Sequence, residues 1–582
     1  MRVLDYPVTL ARTWQALAWM RLGMRVRSAP AVRQSALALG QLVSGRPQAP
    51  LRRRAVRAVM LAGHEFLAGY ELQRSPSLLD SAVDALRLGA GLVADSSTEW
   101  LATLNALGMA LAWRWQRARN PADLDEAIDA FAQAAQLTPA GPDRCSSLTN
   151  LGSALLDRVE TAPEGQAAQA DISRAITALR SSLAECPDAE AAPYRLLQLA
   201  GAYLAGAASA PRLGDAALTA LDEAEEATLR GLDAAATDSA SSWRSRLLRR
   251  LGEIRHARWG HTGDPAALGY AIEAYRDAVL AAGEEPAIRA EYLSALGAAL
   301  MEVYRLTGAL SYLEAAGAAL AGAVEDTPED DSDFAAHLSN VAVALGFVAE
   351  AVGDPSRMEE ALRLHRRALE RDEPPSTVHG LLLGRYGTAL VDAVSLAARD
   401  TETADPGSSA RLDEAVAALR AAIELGGPDL DPAEIGNNLG NALLLRAERT
   451  TGTVDLTEAV RRFEGALAAN DDPFQEPVYL TGLGAGWRLL YGQTGDEAAR
   501  QAGVTAYQRA CAASRAPGRA ALAAAANWGA WKLARRRPGL RALPRYHRIP
   551  GWRADHADPS ASMARGRARA SCPGRVRLAP MR

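Results

Sequence analysis

The most reactive side chains of this sequence are its cysteines and histidines. The four cysteines are Cys145, Cys186, Cys511 and Cys572. No two of them have the spacing of a CxxC zinc or redox motif, and this wide spacing argues against a domain built on disulfides. A cysteine peptidase needs a thiolate and a base on one folded scaffold. Cys511 instead falls on the apolar face of a predicted helix, where we expect it to be a small buried hydrophobe.

The eight histidines are scattered and show neither an HExxH nor an HxxxH metal-binding spacing. His337 and His365 are predicted to lie on solvent-exposed helical surfaces. The sequence also has no GxxxxGK[ST] phosphate-binding loop and no GxGxxG loop after a strand. We therefore predict a chain that is not an enzyme and that has no catalytic residue, no cofactor and no metal.

Paired acidic residues recur in the phrase Leu-Asp-Glu-Ala, whose best copy is residues 124–127. Two neighbouring carboxylates could form an acid–base dyad, but each copy begins an apolar pattern with helical spacing. In the copy at Leu412 the apolar positions are 0, +3, +4, +7 and +11. The macrodipole stabilises acids in the first turn of a helix. We interpret these pairs as helix-start acids and name the helix that follows each of them helix B.

A second phrase predicts the elements that position these residues. It consists of an apolar residue, Gly, any residue, Ala and a large apolar residue, and its small second position recurs every 44 to 53 residues. A period of this size is typical of helical repeat arrays, in which each unit buries its apolar face against its neighbours. Along the chain the small residues are Gly108, Gly152, Ala200, Gly252, Gly297, Ala342, Gly387, Gly440, Gly484 and Gly529.

Each unit therefore contains two helices, helix A with the glycine phrase and helix B with the acidic start. Residues 263–265 and 353–355 both read Gly-Asp-Pro, which suits the end of one helix and the start of the next. Short links imply antiparallel neighbours. Glycine costs roughly 1 kcal/mol relative to alanine inside a helix. Its return in successive units predicts that helix A closely approaches its own helix B at these glycines.

Length and composition agree with an all-α array. A chain of 582 residues exceeds one ordinary core, and only 5% of the residues are aromatic. The formal charge is −5, but the residues from Arg535 onward carry +11, so the preceding residues sum to −16. An acidic array is not a nucleic-acid surface. No apolar run of 18 residues is evident, so we expect no signal peptide, no membrane span and a cytoplasmic location.

The phrases have a family-level resemblance. The small residues of helix A and the Ala-rich helix B resemble tetratricopeptide (TPR) repeats, with units of about 45 residues in place of 34. Residues 124–139, 437–469 and 527–531 resemble the long TPR arrays of actinobacterial CHAT-domain proteins. In that family a caspase-like Cys-His peptidase module commonly follows the array, and this sequence shows none after residue 532. The resemblance implies a right-handed α-solenoid of TPR-like helix pairs whose groove binds a protein or peptide.

Four asparagines are possible groove ligands. In peptide-binding TPRs, a carboxylate clamp uses an Asn directly after the Leu-Gly step together with basic residues of adjacent repeats. Asn441 matches that position, whereas Asn150, Asn438 and Asn527 directly precede the apolar-Gly step. Other repeats carry Met, Ser, Ala, Val or Thr at the position of Asn441. We therefore expect polar packing along the helix face, with groove binding as the alternative.

Three segments are predicted. Residues 1–50 form N-terminal capping helices, residues 51–532 the repeat array, and residues 533–582 a basic tail rich in Arg, Pro and Ala. Low hydrophobicity and high net charge predict disorder in this tail. Three interpretations of it remain open: an arm for nucleic acid or another anionic surface, a plain solvated tail, and the out-of-frame translation of GC-rich codons.

The sequence thus predicts a non-catalytic scaffold that binds a protein or peptide partner in a groove lined by helices A. No membrane is involved in this prediction, and nucleic acid is not the expected partner. Two alternatives remain. The array could be the regulatory or substrate-recognition arm of a CHAT-type cysteine peptidase whose catalytic domain is missing, or the ligand-sensing arm of a transcriptional or signalling ATPase.

Overall fold

A computed structural model describes residues 29–43, 52–92, 97–161, 165–187, 191–210, 214–235, 242–372, 378–400, 407–427, 430–450, 453–470 and 475–512, together with residues 12, 15, 16, 18, 376, 472, 527 and 528. The described residues form 21 α-helices. In chain order, α1 to α21 are Ala29–Val43, Arg52–Gln73, Pro76–Leu92, Thr98–Ala118, Pro121–Leu137, Pro142–Thr161, Gln166–Glu185, Ala192–Ala208, Asp215–Ala235, Ser242–Thr262, Pro265–Ala282, Pro286–Thr307, Leu310–Glu325, Phe334–Val352, Pro355–Arg371, His379–Asp400, Gly407–Leu425, Pro432–Thr450, Thr453–Ala469, Glu476–Thr494 and Glu497–Ala512.

The helices from α2 to α21 form ten antiparallel pairs, in which the even-numbered helix is helix A and the odd-numbered helix is helix B. The chain divides into two compact units, the first extending to Arg385 and the second beginning at Tyr386, apart from three residues of a later loop. Within each unit, helix A packs along its own helix B, and helix B packs against helix A of the next pair. The predicted all-α architecture of about ten repeating helix pairs is therefore confirmed.

The outer segments are described only in part. Helix α1 packs against α2 and α3, where the sequence predicts a capping element. The predicted boundaries at residues 50 and 532 stay predictions. The basic tail, residues 533–582, lies outside the described residues.

The links from helix A to helix B have the predicted turn chemistry. Gly263 and Gly353 follow α10 and α14 with φ angles of 66° and 73°, in the left-handed region that glycine adopts without strain. Asp264 and Asp354 then cap the next helices, because a carboxylate oxygen of each accepts a backbone N–H two residues later. A proline occupies the first position of α11 and of α15.

The interior of each pair consists of apolar side chains at helical spacing. In α5, Leu124, Ala127, Ile128 and Phe131 are all buried, at the predicted positions 0, +3, +4 and +7. The alanines let the two helix backbones approach, and the larger residues fill the space between them. Full burial of one large aliphatic side chain contributes about 1.5–3 kcal/mol. Stability therefore accumulates from contacts between neighbouring helices.

The acidic pairs of helix B join successive repeats, which the macrodipole interpretation did not foresee. Asp125 accepts a hydrogen bond of 2.8 Å from Arg158 of the next helix A, and Glu126 accepts one of 2.7 Å from Arg87 of the preceding helix B. Arg158 also donates to Asp171 of its own helix B at 2.8 Å. Arg158 thus bridges two helices B. Ion pairs at matching positions are Asp80–Arg114, Asp222–Arg258 and Asp413–Arg446.

The spacing of the cysteines did not indicate one disulfide that the structure contains. Cys145 and Cys186, which are 41 residues apart in sequence, form a disulfide. Cys145 lies in the first turns of α6 and Cys186 directly follows α7. Antiparallel pairing brings the start of helix A to the end of helix B, and sequence spacing does not show this proximity. Cys511, expected in the core, is only partly buried in α21.

The prediction of two solvent-exposed histidines is wrong. His337 is buried, and its Nδ1 lies 2.9 Å from the hydroxyl of Thr327. His365 is 2% exposed and its Nδ1 lies 3.3 Å from the hydroxyl of Ser339. Burial lowers the pKa of both imidazoles, that of His365 to about 3. Both rings are therefore neutral at pH 7 and serve as polar groups of the helix interfaces.

Among the described residues, two helices are long and apolar enough to cross a membrane by length and composition alone. They are α14, with a mean hydropathy of 1.5, and residues 379–398 of α16, with 1.3. The sequence prediction overlooked both stretches. In the first unit α14 packs between α13 and α15, which uses part of its apolar surface. The same composition is expected of a helix A that contacts helices on more than one side.

Candidate partner-binding groove

The glycines of helix A lie where that helix crosses its own helix B. A Cβ atom added at Gly108 or Gly152 would lie 2.6 Å from a side-chain carbon of Phe131 or Leu179, closer than real Cβ contacts occur. The large side chain of helix B therefore occupies the space that a side chain of helix A would need. Added Cβ atoms would meet helix B at 2.5 to 2.8 Å in the pairs Gly252–Tyr275, Gly297–Leu320, Gly387–Leu419, Gly440–Phe463 and Gly484–Tyr507. Gly529 lies outside the described residues.

The sequence patterns missed one glycine of this type. Gly63 in α2 would place a Cβ 2.6 Å from Leu86 of α3. It precedes Gly108 by 45 residues, so the period alone could have located it. Its phrase has Glu65 where the other repeats have Ala, whereas Phe66 keeps the large apolar position. The packing glycine is therefore retained although the phrase around it has diverged at the Ala position.

Helices A of neighbouring repeats also contact each other, and polar side chains meet along this line. Helix α4 packs against α2 and α6. The Oδ1 of Asn105 accepts hydrogen bonds of 3.2 Å from the Oγ of Ser147 and from the Nδ2 of Asn150. These bonds fix the orientation of the Asn105 amide group. Asn150, a predicted groove residue, thus packs against the preceding helix A and is partly exposed.

The other predicted asparagines have different surroundings. In the second unit, Asn438 donates to the hydroxyl of Thr388 at 3.0 Å and accepts from Asn437 at 3.3 Å. Asn441 is partly exposed one turn further along α18. Asn527 is partly exposed among residues that are otherwise outside the described part of the chain. The role of these three asparagines in binding stays a prediction.

A cleft opens on the helix A face of the first three repeats. Its volume is about 610 Å³, and residues of α2, α4 and the start of α6 line it. Leu67, Leu101 and Met109 supply apolar surface, and Asn105 and Ser147 supply hydrogen-bonding groups. The remaining lining residues are His64, Ala68, Glu71, Thr98, Ala102, Ala106, Thr138, Pro139, Ala140, Gly141, Pro142, Asp143 and Ser146. Pockets of about 300–1,000 Å³ with mostly apolar lining and few polar groups are typical of binding sites.

The residue that directly follows the packing glycine lines the cleft in two of its repeats. His64 and Met109 directly follow Gly63 and Gly108, and both line the cleft. Asn441 occupies the same position after Gly440. The position after the packing glycine therefore faces away from helix B, onto the surface where helices A meet.

The electrostatics of the cleft come from carboxylates and neutral groups. Burial lowers the pKa of His64, so its imidazole is neutral at pH 7. Its Nε2 lies 3.5 Å from the hydroxyl of Thr103. Glu71 and Asp143 are exposed, and neither has a salt-bridge or hydrogen-bond partner for its side chain among the described residues. The described residues also contain no cluster of His, Cys, Asp and Glu that could hold a metal ion.

Neither a protein-family model nor a curated protein matches this sequence. Among solved structures, the chain is similar to the APC/C hetero-tetramer Cut9-Hcn1, with 12% identity over 93% of this chain and 94% of that chain and a TM-score of 0.37. It is also similar to the TPR2AB domain of yeast Sti1, solved as a complex with pHSP90, with 18% identity over 60% of this chain and 99% of that chain and a TM-score of 0.19. The antiparallel pairing of helices A and B and the crossings at small residues define the chain as a helical repeat array.

Proposed function

We propose that this chain is a non-catalytic scaffold that binds a protein partner on its helix A face, and that the cleft between α2, α4 and α6 is its principal binding site. The cleft carries the proposal, because it joins apolar surface to hydrogen-bonding groups on the helices A of three successive repeats. An extended segment of a partner fits such a surface better than a globular face does. No cofactor or metal has a role in this proposal.

A cleft-filling substitution tests this proposal. Ala68 and Ala102 line the cleft and are exposed, so tryptophan can replace either without entering the core. A photo-crosslinking amino acid placed at Ser146 of the full chain should capture a partner in cells, and Ala102→Trp should abolish that capture. The matched control is Asp129→Trp, at an exposed position of α5 outside the cleft lining. Capture that persists in Ala102→Trp, or that is lost equally in the control, would contradict the assignment.

The alternative role is as the recognition arm of a CHAT-type cysteine peptidase supplied by another chain. Only the repeat phrases, such as residues 124–139 and 437–469, support it. Under that role the captured partner is itself a peptidase or its substrate. Mass spectrometry of the crosslinked partner distinguishes the two roles, since a peptidase module is identifiable from its peptides.

A further inference from the structure

We infer that the cleft binds an extended peptide segment carrying a positively charged side chain. This inference rests on the proposed function and specifies the chemistry of the partner. It comes from three features of the cleft: its rim charges, its hydrogen-bonding groups and its apolar floor.

The rim of the cleft carries unpaired negative charge. Glu71 of α2 and Asp143 of α6 are both exposed, and no arginine or histidine among the described residues pairs with either. Among the other lining residues His64 is the only titratable base, and its lowered pKa leaves it uncharged at pH 7. A cationic side chain would therefore find two carboxylates and no charged basic residue among the lining residues.

The helix dipoles oppose this charge but do not cancel it. The N-termini of α4 and α6 border the cleft, and each is equivalent to roughly half a positive charge. Together these amount to about one positive charge, against two full negative charges at the rim. The opposite specificity, for an acidic chain terminus, needs basic side chains that face the ligand. The lining contains none.

The interior of the cleft supplies contacts for an extended backbone and for an apolar side chain. The Oδ1 of Asn105 is occupied by Ser147 and Asn150, which leaves the Nδ2 group of the amide as the donor. The described partner of this Nδ2 is the sulfur of Met109 at 3.9 Å, a weak acceptor. A peptide carbonyl oxygen is a stronger acceptor for the same N–H. Met109 and Leu101 then provide the apolar surface beside it.

Binding of charge-matched peptides to the full chain tests the inference. Fluorescent octapeptides would alternate leucine with arginine, glutamine or glutamate, and their anisotropy would be titrated at low and moderate salt. We expect the arginine peptide to bind tightest and to weaken as salt rises, because exposed charges are screened. Glu71→Gln and Asp143→Asn should each weaken it by about twofold to fivefold. Asp129→Asn, an exposed acid of α5 outside the cleft lining, is the matched control and should leave it unchanged.

The results of these experiments distinguish failure of the charge preference from failure of the proposed function. If glutamine or glutamate peptides bind as tightly as the arginine peptide and Ala102→Trp abolishes their binding, the cleft is a binding site and its charge preference is refuted. If arginine-peptide affinity is the same in Glu71→Gln, Asp143→Asn and wild type, the charge preference is also refuted. If no peptide binds and the crosslinking experiment captures no partner, the proposed function itself fails.

Discussion

At the crossing of each helix A with its own helix B, a large side chain lies over a residue that has no side chain. Phe463 is an example, because its ring packs against glycines of two different helices A. Added Cβ atoms at Gly440 of its own pair and at Gly482 of the next helix A would lie 2.7 and 2.5 Å from its ring. One aromatic ring thus sets the spacing of two helix contacts. Since packed interiors leave little room to relax, enlarging such a position must move a helix.

We expect Gly152→Leu and Gly440→Leu to destabilise the fold by about 1–3 kcal/mol or more, because the new side chain overlaps Leu179 or Phe463. Urea unfolding followed by circular dichroism measures the loss. Gly465→Leu is the matched control, because a Cβ at that position in α19 meets nothing within 4 Å. An unchanged unfolding midpoint in both crossing variants would show that these glycines do not set the helix spacing.

The buried His365 predicts a pH dependence of stability in the first unit. Its pKa falls from 6.5 in the unfolded chain to about 3 in the fold, because burial disfavours the charged ring and Arg385 repels it. The unfolded chain therefore binds an extra proton below pH 6.5, so stability is complete above that pH and declines as pH falls toward 3. At pH 5 the loss is about 2 kcal/mol relative to pH 7.

Thermal melts between pH 7 and pH 5 measure this effect. In His365→Leu the ring is absent, so the melting temperature should fall less over this range than in wild type. Parallel curves for the two proteins would mean that His365 is charged, or exposed, in the folded state.

Between elements, arginines of helix A hold the repeats in register. Arg446 shows the arrangement in the second unit: it donates to Asp455 of its own helix B at 2.8 Å and to Asp413 of the preceding helix B at 3.1 Å. The two bonds are not equivalent. The side chain of Asp455 is 17% exposed and that of Asp413 is 67% exposed. Solvent screening weakens the outer pair, so most of the energy lies in the pair within the repeat.

Arg158 also makes one ion pair within its repeat and a more exposed one to the preceding helix B, and the difference between the two can be measured. Asp171→Asn should cost about 1–3 kcal/mol, because it leaves a charged guanidinium facing a buried amide. Asp125→Asn should cost less than about 1 kcal/mol, because its carboxylate is exposed. Urea unfolding midpoints of the two variants, alone and each combined with Arg158→Met, measure the coupling energy of Arg158 with Asp171 and with Asp125. Equal losses would contradict the assignment of the inner pair as the stronger one.

The disulfide links the first turns of α6 to the residue that directly follows α7. A cross-link that closes a loop of this length, 41 residues, stabilises a fold by about 2–4 kcal/mol through the unfolded chain. We expect two reactive thiols in the denatured, unreduced protein and four after reduction, with a lower melting temperature for the reduced form. The variant with both Cys145→Ala and Cys186→Ala should not respond to reductant. Four reactive thiols before reduction would show that the bond does not form.

For the molecule as a whole, stability is carried by contacts between adjacent helices within each unit. In such arrays a local defect is felt by neighbouring repeats and decays along the chain. Hydrogen exchange of the full chain should therefore lose protection in α4 to α9 for Gly152→Leu, and in the helices from α16 onward for Gly440→Leu. Uniform loss of protection throughout the chain, from either substitution, would contradict nearest-neighbour coupling.

The sequence by itself determined the period, the helix pairing and the turn chemistry, because these follow from local patterns: apolar residues at helical spacing, Gly-Asp-Pro links and one small residue per unit. The missed Gly63 shows where pattern matching ended, since its phrase diverged while its spacing did not. Only the tertiary structure decided which distant side chains meet. It paired Cys145 with Cys186, buried His365, linked Asp125 to Arg158 and opened the cleft beside Asn105. Each of these depends on how antiparallel helices bring the ends and faces of different elements together. The spacing of residues along the sequence does not show this proximity.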